Sequence, residues 1–298
     1  RLIVTDSVFS MDGDIAPLAH IAELANIYGA RVVVDEAHAT GNVGPDGRGA
    51  VAAAGLEGEI DVVIGTLGKA LGSYGAYACA GSEMISYLIN AARSLIFSTA
   101  PGPPAVAGAL AALELLEERP HRVARLRANA RVLRSALASE GFPVAEGEMH
   151  IIPLVVGDER AAMGLCQQAI ELGVFAQAIR PPTVPAGTSR LRLTAMASHT
   201  PTELRMAAEI FAQAARRVGL DPRDFLAPAA EPAAEIEEVE TALARSERLA
   251  RRGSTASAAP PFDGEVELER GPTPAAELQA VPNAPFDFER ESASARAA

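Results

Sequence analysis

Three short apolar runs limit what this chain can fold into. Leu2-Ile3-Val4-Thr5, Arg31-Val32-Val33-Val34 and Asp61-Val62-Val63-Ile64 are each strand-length, and each is followed by a polar cluster. Between the first two, Leu18, Ile21, Leu24, Ala25 and Tyr28 keep helical spacing, with Pro17 opening the segment and Gly29 closing it. Strand, helix, strand in that order predicts a parallel α/β sheet, whose ligands gather beyond the carboxyl ends of the strands. The clusters on that edge are Asp6 with the Asp12-Gly13-Asp14 turn, Asp35-Glu36-Ala37-His38, and Thr66 to Lys69. A fourth run, Ala76-Tyr77-Ala78-Cys79-Ala80, follows too soon for a parallel crossover, so it is predicted to run antiparallel with Lys69 at the bend.

Lys69 is the only lysine in the chain and lies inside Gly65-Thr66-Leu67-Gly68-Lys69-Ala70-Leu71-Gly72. Arginine replaces lysine as a surface cation, but only an amine can lose its proton and bond covalently to a carbonyl. Coding bias that leaves one surface lysine is the plainer explanation of Lys69 alone. Asp35 alone reads more simply as a turn or a helix cap, and His38 as a satisfied core or loop histidine. Asp-Glu-Ala-His also matches the helicase box. That reading fails, because a phosphate-binding loop needs Gly five residues before Gly68 and Ser or Thr after Lys69, where Val63 and Ala70 stand.

Taken together, a strand-end aspartate, a histidine three residues on and a glycine-flanked lysine suit pyridoxal phosphate. The lysine holds the cofactor covalently, and the aspartate keeps the pyridine nitrogen protonated. Thr66, Ser98 and Thr99 offer hydroxyls to the phosphate, and His38 or Ser10 can reach the phenolic oxygen.

Further along, helices are predicted over 83–95, 103–119 and 121–139, the last Arg-rich. The alternation then restarts with a strand at 150–156, a helix at 159–172, and strands at 174–180 and 190–196. A last helix opens on the capping box Thr200-Pro201-Thr202-Glu203. The expected organisation is a cofactor-binding domain over 1–120, a connecting helix over 121–140 and a small α+β domain over 141–220. Residues 221–298, rich in Ala, Pro, Glu and Ser, read as a disordered tail with an isolated helix at 234–252. The net charge of −12 disfavours a nucleic-acid partner. Cys79 and Cys166 have no CxxC spacing, which predicts no metal and no disulfide, and they read as small core residues of a cytoplasmic protein. No run reaches membrane-span length. The chain enters a strand directly after Arg1, so a further N-terminal part is expected.

Four segments carry a specific resemblance: Thr5-Asp6-Ser7-Val8-Phe9-Ser10-Met11-Asp12-Gly13-Asp14, Asp35 to Gly41 with Gly47-Arg48-Gly49, Gly65 to Gly72, and Ala178-Ile179-Arg180-Pro181-Pro182-Thr183-Val184-Pro185-Ala186-Gly187-Thr188-Ser189-Arg190-Leu191-Arg192-Leu193-Thr194. Together they resemble the α-oxoamine synthases. These are fold-type-I pyridoxal-phosphate enzymes, aspartate-aminotransferase-like, with a mostly parallel sheet in the large domain and a smaller α+β domain. The resemblance covers residues 1 to about 219. It implies Lys69 as the catalytic, cofactor-bearing lysine, Asp35 at the pyridine nitrogen, and His38 and Ser10 at the phenolic oxygen. It further implies Thr66 at the phosphate, Ser98 and Thr99 at the phosphate of a neighbouring subunit in a homodimer, and Thr183 and Arg192 at the substrate. The fourth segment is nearest the member that joins L-alanine to pimeloyl-CoA or pimeloyl-acyl carrier protein in biotin biosynthesis. Members of the glycine C-acetyltransferase, 5-aminolevulinate synthase and serine palmitoyltransferase types are the alternatives. The family's upstream phosphate segment and ring-stacking histidine have no counterpart here, so the chain alone is alternatively an inactive fragment that needs an N-terminal partner.

Overall fold

β1 (Leu2–Asp6), α1 (Leu18–Tyr28) and β2 (Arg31–Asp35) form the expected unit in the computed structural model, which describes residues 1–227. β1 and β2 are parallel, with Asp6 opposite Asp35. After the short helix α2 (Ala50–Ala53), β3 (Val62–Thr66) joins β2 in parallel. β4 (Ala76–Ala80) then returns antiparallel, Thr66 opposite Ala76, and the bend between them carries Lys69. Strand alternation turns Val32 and Val34 into a core shared with Leu18, Ala22 and Ala25 of α1. On the other face Leu2 and Val4 stay 63% and 66% exposed. α1 ends where Gly29 adopts φ +58, a left-handed conformation that costs glycine little, and its N–H reaches the Ala25 carbonyl.

The helix predicted over 83–95 is divided into α3 (Ser82–Ala91) and α4 (Arg93–Ile96), because Ala92 is extended between them. Neither helix buries a residue, so no core contact holds the two on one axis. α5 (Pro103–Glu118) stops before Pro120, and α6 (His121–Ser139) buries Val123, Leu126, Ala130, Leu133 and Leu137.

The second sheet is antiparallel, in the order β5 (Ile151–Gly157), β7 (Ser189–Thr194), β6 (Gln177–Ile179). Helices α7 (Glu159–Glu171) and α8 (Pro201–Arg217) pack Leu165 and Phe211 against Leu154 and Leu191. Asp158 caps α7, and the predicted capping box of Thr200 and Glu203 opens α8. The strand expected at 174–180 shrinks to three residues.

Ordered packing runs past Leu220. Phe225 meets Phe142 edge to face at 4.9 Å, and the Leu226 N–H bonds the Val155 carbonyl, so the expected tail cannot begin at 221. The remainder of that tail, with its helix at 234–252, lies outside the described residues. The expectation of two core cysteines is corrected at Cys79, which is exposed because β4 is the edge of its sheet; Cys166 is partly buried. Among the described residues no His, Cys, Asp or Glu group could hold a metal ion, and no helix is long and apolar enough to cross a membrane.

Candidate active site

Parallel register brings the ends of β1, β2 and β3 to one edge, and each ends in a polar residue: Asp6, Asp35 and Thr66. Asp35 Oδ1 accepts the Ala37 N–H at 2.7 Å, which starts the turn that carries His38. Glu36 points the opposite way. It is 3% exposed and accepts the Val51 N–H at 2.7 Å; burial raises its pKa, and the backbone donors of Val51 and Ala50 oppose that rise. A Cβ on Gly49 would lie 1.8 Å from Glu36 Oε2, so this loop closes only over glycine. By pinning the loop from inside, Glu36 leaves His38 facing the sheet edge.

There Lys69 Nζ lies 2.9 Å from His38 Nε2. Lys69 is exposed overall, yet burial of its amine lowers the pKa, with Asp35 and Asp6 opposing and Arg192 adding to the depression. Burial, then Lys69 and Arg192, hold His38 down at about 4, against the pull of Asp35. His38 is therefore neutral at pH 7 and can accept a proton-sharing contact from the amine.

Asp6 belongs to the same group. Its pKa is raised by burial and by Asp35, and lowered by Lys69. In the sequence Asp6 is simply the last residue of a strand-like run. The signal was the strand register, which sets Asp6 beside Asp35.

β7 approaches from the second sheet. Arg192 donates from Nε to the Ser10 carbonyl and from Nη1 to Thr194 Oγ1 at 3.2 Å. Arg190, 6% exposed, pairs with the Asp12 carboxylate. Two arginines thus grip the turn after β1. Ser10 takes part through its carbonyl. Thr66 Oγ1 donates to the Gly75 carbonyl at 3.2 Å and accepts the Gly68 N–H at 3.1 Å, closing the loop that bears Lys69. Ser98 and Thr99 sit on the exposed stretch after α4, and Thr183 is exposed in the turn before β7. Among the described residues, no hydrogen bond joins these three to Lys69, His38 or Arg192. The structure therefore assembles Lys69, His38, Asp35 and Arg192, with Ser10 and Thr66 as backbone and loop supports.

The model for the aminotransferase class I and II family matches residues 1–211. The chain belongs to that family. An 8-amino-7-oxononanoate synthase of Citrifermentans bemidjiense is 48% identical over 222 residues, covering 74% of this chain and 57% of the relative. A serine palmitoyltransferase from S. paucimobilis, solved with a bound PLP-myriocin compound, is 36% identical at a TM-score of 0.70, covering 73% of this chain and 55% of that one. An 8-amino-7-oxononanoate synthase from Francisella tularensis is 27% identical at a TM-score of 0.63, covering 74% and 64%. The chain spans little more than half the length of the curated relatives it matches. These likenesses bear out the α/β, fold-type-I expectation drawn from the motifs.

Proposed function

We propose that this chain supplies a large part of the pyridoxal-phosphate site of an enzyme that condenses L-alanine with a pimeloyl thioester. The net reaction joins the alanine Cα to the acyl carbon, expels the thiol and carbon dioxide, and yields 8-amino-7-oxononanoate for biotin synthesis. The observation that carries the reading is the contact of Lys69 Nζ with a neutral His38, beside the Asp35 carboxylate. The names of the relatives support the substrate pair.

The residues present fit the cofactor. Lys69 is an amine whose pKa is already depressed, as covalent attachment to an aldehyde requires. Asp35, on the inner strand β2, is a carboxylate for the pyridine nitrogen, and the Thr66 hydroxyl would exchange the Gly75 carbonyl for the phosphate. When bound, pyridoxal phosphate supplies an electron sink for charge developing at the amino-acid Cα. Lys69 removes the proton from that carbon and returns one to it. Asp35 holds the ring proton in place, and His38 donates to or accepts from the phenolic oxygen, with the Ser10 hydroxyl beside it. Arg192 keeps part of its guanidinium free of Ser10 and Thr194 and binds the substrate carboxylate, with Thr183 alongside. Ser98 and Thr99 reach the phosphate of the other subunit in a cytoplasmic homodimer, for which their exposed segment is suited.

A second reading, another α-oxoamine synthase, is favoured by the higher TM-score of the serine palmitoyltransferase. Assays of L-alanine, glycine and L-serine against pimeloyl, acetyl, succinyl and palmitoyl thioesters separate the two. They are run on this chain alone and on the chain co-produced with the remaining portion of a relative. Preference for L-alanine with a pimeloyl donor is expected; faster turnover of glycine with acetyl-CoA, or of serine with palmitoyl-CoA, overturns the assignment. If activity arises only with the added portion, this chain is one half of a working site.

A further inference from the structure

One helix touches both halves of the site. Arg127 of α6 donates from Nη2 to the Gly44 carbonyl, and a Cβ on Gly47 would come within 3.1 Å of Val123 Cγ2 on the same helix. Gly44 and Gly47 belong to the loop that follows His38. Within it Asn42 Nδ2 donates to the His38 carbonyl at 3.3 Å, and the Gly41 N–H to the Gly47 carbonyl at 2.8 Å. The amino-terminal half of α6 is thus fastened to the loop that holds His38 against Lys69.

The turns that follow grip the strand pair that carries Arg192. Asn129, 3% exposed, donates from Nδ2 to the carbonyls of Met196 and His199, both at 2.8 Å, just past β7. Arg134 is buried and donates to the Ala145 carbonyl at 2.8 Å. Its Nη2 also reaches the Met149 carbonyl at 3.2 Å and the Ile151 carbonyl at 3.0 Å, on either side of His150. The two gripped ends are tied to each other, since the Ala195 N–H donates to the His150 carbonyl at 2.9 Å and Ile151 pairs with Thr194. Arg192 sits on β7 opposite Pro153 of β5. The turn whose Ser10 carbonyl accepts from Arg192 leans on the same place, because a Cβ on Gly13 would lie 2.8 Å from the Ile151 carbonyl. Arg134 meets carbonyls rather than a carboxylate, and among the described residues its buried Nε has no hydrogen-bond partner. A buried guanidinium left partly unsatisfied costs stability, and what it secures is the place of these strand ends.

We propose that α6 is the strut that sets the gap between the Lys69–His38 pair and Arg192, with Asn129 and Arg134 as positioning residues for that guanidinium. The stretch of α6 from Arg127 to Arg134 is roughly 10 Å long, so one stiff element spans from the His38 loop to the strand ends. An amino acid in the site uses both ends of this gap at once, and a misplacement of about 1 Å weakens its hold. The proposal rests on the reading of Arg192 as the partner of the substrate carboxylate. It goes beyond that reading in naming what keeps Arg192 at its distance.

NMR of the full chain labelled with 15N-arginine tests it. The Arg192 Nε–H, assigned by its loss in Arg192→Lys, is expected to exchange with solvent about tenfold faster in Arg134→Met and in Asn129→Ala. It should keep its wild-type rate in Phe225→Ala, which removes packing near Val155, at the other end of β5, and leaves both grips intact. With pyridoxal phosphate present, the apparent Kd for L-alanine is expected to rise about tenfold in Arg134→Met, while the Kd for pyridoxal phosphate stays unchanged. In an Arg192→Gln background the same substitution should change the L-alanine Kd less than about twofold, since no guanidinium remains to be misplaced. Equal fold-losses in the two backgrounds overturn the proposal, as does an Arg192 Nε–H that exchanges as in wild type in both variants or equally fast in Phe225→Ala. If neither variant folds, the wild-type Arg134 Nη protons decide: slow exchange is expected, and free exchange overturns the grip. A wild-type chain that binds pyridoxal phosphate but not L-alanine counts against the proposed function instead, and the Arg192 exchange rates still decide the strut.

Discussion

Lys69 and His38 meet Nζ to Nε2 at 2.9 Å, although they sit 31 residues apart on different strand ends. Burial is the main reason that His38 sheds its proton at neutral pH, and the nearness of Lys69 and Arg192 adds to it.

That depression has a consequence for stability. An unfolded histidine titrates near 6.5, whereas His38 and His150 are each held at about 4. Between those values the unfolded chain binds protons that the folded chain refuses, so stability rises with pH through the window and is lost as pH falls from 6.5 toward 4. Urea melts at pH 7 and pH 5 should show His150→Gln losing about 1–2 kcal/mol less than wild type over that drop. Equal losses in the two proteins would mean that His150 is not held neutral by the fold.

Gly65 is the closest approach within the first sheet. A Cβ there would stand 2.2 Å from the Tyr77 ring, whose hydroxyl bonds Thr40 Oγ1 at 3.0 Å. Gly65→Ala is expected to destabilise by about 2 kcal/mol or more. In a Tyr77→Ala background most of that penalty should vanish, because the obstructing ring is gone. Thermal melts of the four proteins close the cycle, and additive losses would place the strain elsewhere.

The Arg190–Asp12 pair joins β7 to the turn after β1, with the Arg190 side chain 7% exposed and that of Asp12 48%. Asp12→Ala leaves a buried guanidinium without its anion, at a cost of about 1–3 kcal/mol given the half-exposed partner. Amide exchange in residues 189–194 should quicken in that variant and much less in Asp12→Asn, which keeps an acceptor. No change at β7 would show that Arg192 alone holds the turn.

Much of this was legible in the chain. The valine runs with a helix between them gave the parallel unit, and the short loop after Lys69 gave the antiparallel β4. Capping chemistry at Thr200 and Glu203 located α8 to the residue. What escaped was non-local. Asp6 acquires meaning only from the register that sets it beside Asp35, and Glu36 only from the loop it pins through Val51. His150 and Arg134 carry no motif; one is placed by carbonyls that the other grips from α6. The Arg192 bond to the Ser10 carbonyl uses a group present at every residue and so invisible in sequence. Cys79 was misplaced because an edge strand looks like a central one until its neighbours are known.

The central claim is that Lys69 bonds the cofactor, and the composition makes it unusually clean to test: apart from the amino terminus, the chain has no other amine. The protein is incubated with pyridoxal phosphate, reduced with borohydride and digested, and the peptides are read by mass spectrometry. A phosphopyridoxyl group on the peptide containing Lys69, absent in Lys69→Ala and not restored in Lys69→Arg, is the predicted result. Label that persists in Lys69→Ala, or that appears only at Arg1, would contradict it.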